Sequence, residues 1–276
     1  MIVNQMPIFI INLKHSVERK KHMQELCEKY NLNYEFIEAV DGKTLNDDEI
    51  SKVYSKEKAI KKIGREMSRG EIGVLLSQKS IYQKMIDEDI EEAIIFEDDI
   101  EFDDKLIEVL DHSDRFPEYW NLVLLGHHAC KSREIETGYS FWGQIEVTNK
   151  YKLARPYEIG CGAYGYILRK SAAQVLLDDL QVIVEPIDHL TGSDEKLNLY
   201  ILIPVVVDIH LELSDIYHNM EDRKKLQQKK RCNNVQIKMS KKRKILILLH
   251  LDKTWEKYKR AYRNLKLTFE RRRKYL

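Results

Sequence analysis

The sequence lacks any apolar segment long enough to cross a membrane. Its longest late apolar run, residues 245–251, includes His250 and is far shorter than the roughly 20 residues of a membrane-spanning helix. Residues 1–13 contain an apolar stretch, but no basic region precedes it and no small-residue cleavage site follows it. We therefore expect no signal peptide and a protein that is not integral to a membrane.

Cysteine is scarce, and the four cysteines form no CxxC pair: they are Cys27, Cys130, Cys161 and Cys232. This wide spacing argues against a zinc site and against a disulfide framework, so we expect reduced thiols and a cytoplasmic protein. The GxxxxGKS/T loop of P-loop enzymes is also missing. This absence argues against a phosphoryl-transfer enzyme of the P-loop type.

The net charge of +1 conceals an uneven distribution of charge along the chain. Residues 223–276 contain 21 Lys and Arg against 3 Asp and Glu, a net charge of +18, and the remaining residues carry −17. This distribution predicts two parts, an acidic globular domain over residues 1–220 and a basic α-helical tail over residues 221–276.

The tail has the spacing of an amphipathic helix. Large apolar side chains recur at intervals of three and four residues between basic ones; they are Leu248, Leu251, Trp255, Tyr258, Tyr262, Leu265 and Phe269. An anionic membrane surface, a second copy of the helix in a homodimer and nucleic acid all fit such a helix. We favour the membrane surface, keep the homodimer as the second interpretation, and expect no nucleic-acid partner.

Apolar runs alternate with stretches of helical periodicity through the acidic part. Strands are predicted at residues 8–13, 34–40, 93–96, 122–125 and 205–209. Helices are predicted at residues 16–30, 73–87, 104–111 and 171–180. Strands that alternate with helices indicate an α/β fold with a mostly parallel central sheet.

Three adjacent carboxylates, Glu97, Asp98 and Asp99, follow the buried strand at 93–96. Ending a buried strand on negative charge is costly, because a desolvated carboxylate needs a cation or hydrogen-bond donors. If the strand continues, Glu97 and Asp99 point to one face and Asp98 to the other. Such a pair suits Mg²⁺ or Mn²⁺ carrying substrate phosphates, whereas the alternative is a strand that ends in a solvated acidic turn.

Further segments place this cluster in a wider pattern. In chain order they are Phe9-Ile-Ile-Asn-Leu with Ser16-x-Glu-Arg19, Gly70-Glu-Ile-Gly-x-x-x-Ser77, Ile95-Phe-Glu-Asp-Asp-Ile100, Gly162-Ala-Tyr-Gly-Tyr-Ile, Pro186-Ile-Asp188 and Leu213-Ser-Asp-Ile216. With this order and spacing, residues 7–216 resemble glycosyltransferase family 25, the lipooligosaccharide-biosynthesis glycosyltransferases. The family usually has Cys and His where this chain has Val74 and Gln78.

The resemblance implies a GT-A-like nucleotide-sugar-binding domain. It implies that Glu97 and Asp99 stand in the place of the DxD element and hold Mn²⁺ or Mg²⁺ on the donor diphosphate, and that Asp188 is the catalytic base. Asp194 and Glu195 compete for the role of base. The residues expected to bind the donor or line its site are Asn12, Leu13, Arg19, Ser77, Gln78, Asp98, Gly162, Ser214 and Asp215.

The expected reaction is transfer of a hexose, galactose from UDP-galactose, with inversion, to a lipooligosaccharide or related lipid-linked glycan acceptor. Such an acceptor would give the basic tail a purpose, and it predicts a peripheral protein on the inner face of the cytoplasmic membrane. The alternative is a catalytically degenerate protein of the same fold that binds a nucleotide or a partner, because Gln78 can form hydrogen bonds but cannot transfer a proton.

Overall fold

The computed structural model describes residues 6–129, 137–193, 196–210 and 213. The chain divides into two units, Met1–Ile209 and His210–Leu276, and the fold below is that of the first. Several predicted features lie outside the described residues: Asp194, Glu195, Ser214, Asp215 and the tail at 221–276.

The described part of the first unit contains twelve strands and seven α-helices, with a short 3₁₀ helix at Ser113–Arg115. The strands are β1 (Ile8–Asn12), β2 (Tyr34–Glu38), β3 (Glu92–Glu97), β4 (Ile100–Phe102), β5 (Leu122–Leu124), β6 (His128–Ala129), β7 (Ile145–Glu146), β8 (Lys152–Ala154), β9 (Gly160–Cys161), β10 (Gly165–Arg169), β11 (Leu199–Ile203) and β12 (Val207–Ile209). The helices are α1 (Val17–Lys29), α2 (Asp47–Val53), α3 (Lys56–Ile63), α4 (Arg69–Asp87), α5 (Asp104–Leu110), α6 (Lys170–Asp179) and α7 (Ile187–Thr191). Within the described ranges, none of these helices combines the length and apolar composition that a membrane crossing requires.

Eight strands form one mixed sheet in the order β2-β1-β3-β10-β5-β11-β8-β7. β1 is parallel to β2 and β3, and β5 is parallel to β11, whereas β10 is antiparallel to both β3 and β5, and β8 is antiparallel to β11 and β7. The prediction of a mostly parallel sheet is therefore wrong. A strand buried on both faces shows a continuous apolar run whichever way it points, so the sequence of β10 does not reveal its direction.

Alternate side chains of β1 enter two cores on opposite faces of the sheet. Ile8 and Ile10 pack in one core with Met23 of α1, and Phe9 packs in the other with Leu75 of α4. The strand period of two produces this division. Because helices cover both faces, the edge formed by the strand ends is left as the place for a ligand.

Helix α4 begins four residues before its predicted start, at a capping box. The Ser68 side chain accepts a hydrogen bond from the backbone N–H of Glu71, and the Glu71 carboxylate accepts one from the backbone N–H of Ser68. One turn later, a Cβ on Gly73 would collide with the backbone of Val40 and Gly42. Glycine is therefore needed for the close approach of α4 to the loop after β2.

The cysteines depart from the expectation of reduced thiols. Cys161 in β9 is disulfide-bonded, so that prediction is wrong for this residue, and only Cys27 is a free thiol among the described residues. Burial raises the pKa of Cys27 to about 12, which keeps it protonated and unreactive. The pairing of β6 with β9 sets His128 opposite Cys161, a neighbourhood that cysteine spacing along the chain cannot show.

Candidate functional site

The carboxyl ends of β1, β2, β3, β5 and β11 lie at one edge of the sheet. This follows from the pairing, since β10 runs antiparallel between the parallel group β2-β1-β3 and the parallel pair β5-β11. The segment that leads into β10 lies at the same edge. Open α/β sheets bind ligands outside the carboxyl ends of their strands. The predicted site residues at this edge are Asn12, Leu13, Glu97, Asp98, Asp99 and Gly162.

Asp98 is the centre of a buried polar cluster. The Nδ2 amide of Asn12 donates to its Oδ2 at 2.7 Å, and the Arg19 guanidinium donates to its Oδ1 at 3.1 Å. Asn12 Nδ2 also donates to the carbonyl of Ser16, which ties the end of β1 to the start of α1. Burial raises the pKa of Asp98, and Arg19 and Asn12 offset part of that upward shift. Three residues predicted to bind the donor are thus bound to one another.

Asp99 has surroundings different from those of Asp98. β3 ends at the half-buried Glu97, and Asp98 and Asp99 form the turn into β4. Strand alternation therefore stops at Glu97, and it gives no ground for placing Glu97 and Asp99 on one face. Asp99 is only 6% exposed, and its Oδ1 is buried with no hydrogen-bond partner among the described residues.

A buried carboxylate oxygen without a donor fits a cation. The described residues contain no cluster of three or more His, Cys, Asp or Glu side chains that could hold a metal ion by themselves. A Mg²⁺ ion on a substrate diphosphate needs only one or two protein carboxylates, because phosphate oxygens and waters complete its shell. The buried Oδ1 of Asp99 therefore fits one protein ligand of a divalent ion that arrives with a nucleoside diphosphate.

Asp188 holds the glycine-rich segment that leads into β10. Its Oδ1 accepts hydrogen bonds from the backbone N–H groups of Gly162 at 3.0 Å and Ala163 at 3.1 Å, and Oδ2 takes no part in these contacts. A Cβ on Gly162 would collide with the carbonyl of Gly126, so glycine permits two backbone segments to meet at the edge. The contacts that the structure gives Gly162 are therefore with protein groups, among them the Asp188 carboxylate and the backbone of Gly126.

Ser77 and Gln78 lie inside the layer between α4 and the sheet. Ser77 Oγ accepts from the backbone N–H of Val40 and donates to the carbonyl one turn earlier in α4, both at 2.8 Å. Gln78 is fully buried, and its Oε1 accepts from the Tyr166 hydroxyl at 2.6 Å, which lies 2.7 Å from the Tyr82 hydroxyl. Both predicted donor-binding side chains therefore contact protein groups beneath the edge.

Two adjacent histidines follow β5 at the same edge, and the predicted site does not contain them. His127 is 7% exposed, and its Nε2 lies 2.8 Å from the carbonyl oxygen of Leu202. The ring of His128 is half-buried and stacks on Tyr164, with 6.0 Å between the ring centroids. The two adjacent histidines after Gly126 are the only sequence feature that points to this position, and they do not show which of the two is buried.

A cavity of about 410 Å³ lies beside α7. Its walls are mainly aliphatic, and two Lys–carboxylate pairs, Lys62 with Glu185 and Lys196 with Asp179, lie along its lining. None of the predicted site residues lines it, so it is not the candidate site.

Comparison with known proteins agrees with the motifs at this edge. Residues 5–191 match the model of a family described as glycosyltransferase family 25 (LPS biosynthesis protein). The match covers well over half of the chain. The chain belongs to glycosyltransferase family 25.

Its family 25 relatives include animal proteins. Procollagen galactosyltransferase 2 of Homo sapiens is 29% identical over 161 residues, which are 49% of this chain and 24% of the human protein. A glycosyltransferase 25 family member of Drosophila pseudoobscura pseudoobscura is 29% identical over 225 residues, 74% of this chain and 30% of the fly protein. A probable inactive glycosyltransferase 25 family member 3 of Rattus norvegicus is 25% identical over 160 residues, 49% of this chain and 27% of the rat protein. The matched part is thus about a quarter to a third of each relative.

Among solved structures, that of A197 from STIV resembles this family 25 chain with a TM-score of 0.36 and 12% identity, over 74% of this chain and 83% of that chain. This likeness is too distant to bear on the site.

The two departures from the family motif lie in different surroundings within this family 25 chain. Val74 is on the accessible side of α4, with 38% of its surface exposed. Gln78 is inaccessible and bound to Tyr166. The change at 74 therefore alters a surface, whereas the change at 78 alters an internal hydrogen-bond network.

Proposed function

We propose that this family 25 chain is a glycosyltransferase that moves galactose from UDP-galactose onto an acceptor hydroxyl with the help of a divalent ion. The observation that carries the proposal is the buried, unpartnered Oδ1 of Asp99, which follows Glu97 at the carboxyl end of β3. Family membership and relatives named galactosyltransferases support the reaction class and the sugar. We also propose a GT-A-like donor site at this edge.

Glu97 and Asp99 would hold the ion, Mn²⁺ or Mg²⁺. When bound, it would offset the negative charge that builds on the departing diphosphate. The Arg19–Asp98 pair and the Asn12 amide fix the turn that carries Asp99, so the carboxylate is positioned before the donor arrives. Leu13, half-buried just after β1, would border the nucleoside.

Asp188 is our proposed base for transfer with inversion, acting through Oδ2, because Oδ1 is occupied by two backbone N–H donors. An Asp188→Asn variant keeps an oxygen for those donors but cannot take a proton at neutral pH. We expect its free energy of unfolding to stay within about 1 kcal/mol of the wild type, and its kcat to fall on the order of 100-fold or more. Urea unfolding and steady-state transfer rates measure the two effects. Unchanged turnover would leave Asp188 as a brace for the glycine-rich segment and nothing more.

Two classes of acceptor are open to test. The description of the family model points to a lipopolysaccharide-type, lipid-linked glycan, and the name of the human relative points to a procollagen-type polypeptide. The proposed roles of residues 221–276, binding to an anionic membrane surface or pairing in a homodimer, fall outside the described residues and stay predictions. The same holds for a position on the inner face of the cytoplasmic membrane.

The experiment is a transfer assay with the purified full-length chain, labelled UDP-galactose, and Mn²⁺ or EDTA. Truncated lipooligosaccharide and collagen-type peptides serve as acceptors, and UDP-glucose is the control donor. We expect acceptor-dependent incorporation of galactose that EDTA abolishes. Thermal stabilisation by UDP-galactose without incorporation or hydrolysis would support the degenerate alternative. If UDP-galactose neither stabilises the protein nor is incorporated, the result contradicts the proposal.

A further inference from the structure

The imidazole of His127 has one nitrogen fixed and the other unused. Its Nε2 lies 2.8 Å from the carbonyl oxygen of Leu202 in β11. A carbonyl oxygen can only accept a hydrogen bond, so Nε2 carries the proton and Nδ1 of the neutral ring carries a lone pair. Nδ1 is buried, and it has no hydrogen-bond partner in the part of the chain that the structure describes.

The ring is neutral under physiological conditions. Burial is the main cause that lowers the pKa of His127, to about 4, so the ring does not take a second proton near neutral pH. The unprotonated Nδ1 can therefore accept a hydrogen bond. A buried polar atom without a partner is costly in native proteins, so Nδ1 of His127 calls for a hydrogen-bond donor from a ligand or a water.

His127 lies at the same edge of the sheet as Glu97, with β10 between them. β10 separates β3 from β5 in the sheet, and neighbouring strands lie about 4.8 Å apart, so the ends of β3 and β5 are on the order of 10 Å apart. The segment 162–164 that leads into β10 lies between these two strand ends, and the backbone N–H of Glu97 donates to the carbonyl of Tyr164 at 2.9 Å. Gly162 packs against the backbone of Gly126 and His127 at the same edge, so His127 lies beside the segment that Asp188 holds.

We propose that Nδ1 of His127 accepts a hydrogen bond from a hydroxyl group of a sugar substrate, and that His127 is a specificity-determining residue for the transfer. The inference rests on the proposed function, because it takes the sugar from that reaction. The hydroxyl belongs to the donor hexose or to the acceptor glycan, and the experiment distinguishes the two.

The direct test observes the imidazole nitrogens of the full-length protein by long-range ¹H–¹⁵N NMR. The probes are UDP, UDP-galactose, galactose and the truncated lipooligosaccharide, each added alone. We expect the Nδ1 resonance of His127 to move upfield with a probe that carries the recognised hydroxyl and to stay in place with UDP. His112 is the control: its Nδ1 lies 2.8 Å from the carbonyl oxygen of Glu108 in α5, outside the proposed site, and neither of its nitrogen resonances should move with any probe.

Two substitutions separate the nitrogens. His127→Gln can keep an N–H group near the Leu202 carbonyl but has no acceptor in the place of Nδ1, whereas His127→Asn keeps an oxygen near Nδ1 and loses the tie to Leu202. We expect the Gln variant to lose on the order of 10- to 100-fold in kcat/KM, with its unfolding midpoint close to that of the wild type. The Asn variant should retain more activity and be less stable.

Deoxygenated substrates identify the hydroxyl. UDP-galactose analogues and acceptors that lack one hydroxyl each are compared between the wild type and His127→Gln. At the recognised position the deoxy substrate should lower the wild-type rate by the same factor as the substitution does, and should cause no further loss in the variant. Additive losses at every position would overturn the proposal.

Failure of this inference differs from failure of the proposed function. If the wild type transfers galactose and His127→Gln matches it with every substrate, His127 has no role in specificity. If the wild type shows no transfer, the NMR experiment still decides, because it reads binding alone. If no probe moves the Nδ1 resonance, the partner of Nδ1 is a buried water and not a substrate hydroxyl. That result would overturn the proposal.

Discussion

Replacing Asp99 with asparagine is expected to lower kcat/KM for galactose transfer on the order of 1,000-fold, as loss of one preorganised charge-stabilising group does in other active sites. The amide keeps the shape of the side chain in the turn between β3 and β4, so the loss comes from the missing negative charge that would hold the cation. No protein hydrogen bond to Oδ1 has to be broken, since this oxygen has no partner in the described structure. The free energy of unfolding should therefore stay unchanged or rise, because a buried charge is removed.

The measurement combines transfer rates across a Mn²⁺ titration with urea unfolding. Asp103→Asn is the matched control, because Asp103 is another carboxylate of the same stretch and accepts the backbone N–H of Lys105 at 3.0 Å as the cap of α5. Asparagine caps helices as well as aspartate does, so this control should change neither stability nor transfer. Transfer by Asp99→Asn within tenfold of the wild type at saturating Mn²⁺ would remove Asp99 from the metal site.

Five strands and four helices of the described fold were accessible from the sequence, and the direction of one central strand was not. All five predicted strands are confirmed to within two residues at each end, because a buried strand needs a continuous apolar run bounded by turn residues. The antiparallel pairing of β10 with β3 and β5 depends on partners over 40 residues away in the chain. Local patterns carry no information about such pairings.

The candidate site shows the same limit. The sequence singled out the three carboxylates at 97–99 and separated Asp98 from the proposed metal ligands Glu97 and Asp99, but it did not show the partner of Asp98. Arg19, which pairs with Asp98, lies 79 residues earlier, and only the fold brings it to the turn. Gln78 was expected at the donor because of its motif, whereas packing of α4 on β10 buries it against Tyr166. Motif spacing thus locates a site more reliably than it assigns roles within it.

Removing the carboxylate of Asp98 is expected to lower the free energy of unfolding by about 3–5 kcal/mol, the range for breaking a buried ion pair by deleting one partner. The side chains of Arg19 and Asp98 are only 14% and 9% exposed, so Asp98→Ala leaves a guanidinium with little access to water. The Asn12 amide also loses its closest acceptor. Urea unfolding of Asp98→Ala and Asp98→Asn gives the effect, and the Asn variant isolates the charge from the shape of the side chain.

Removing both charges should cost less than removing one. Burial raises the pKa of Asp98 despite its contacts with Arg19 and Asn12, so the ionised carboxylate retains part of its desolvation cost. The Asp98 carboxyl therefore makes its whole contribution to the free energy of unfolding at pH values below the ordinary pKa of aspartate. This contribution is lost as pH rises through the raised pKa of the folded protein. An Arg19→Met, Asp98→Leu double variant should therefore recover most of the loss seen in Asp98→Ala, and should gain on the wild type as pH rises through that range.

A second ion pair of α1 supplies the control for the Asp98 experiment. Lys21 and Glu25 lie 3.7 Å apart with side chains 75% and 66% exposed, so Glu25→Ala should change stability by less than about 0.5 kcal/mol. If Asp98→Ala costs as little as Glu25→Ala, the pair with Arg19 is screened by solvent like a surface contact. The turn that carries Asp99 would then lack the rigid support on which its proposed metal-binding role depends.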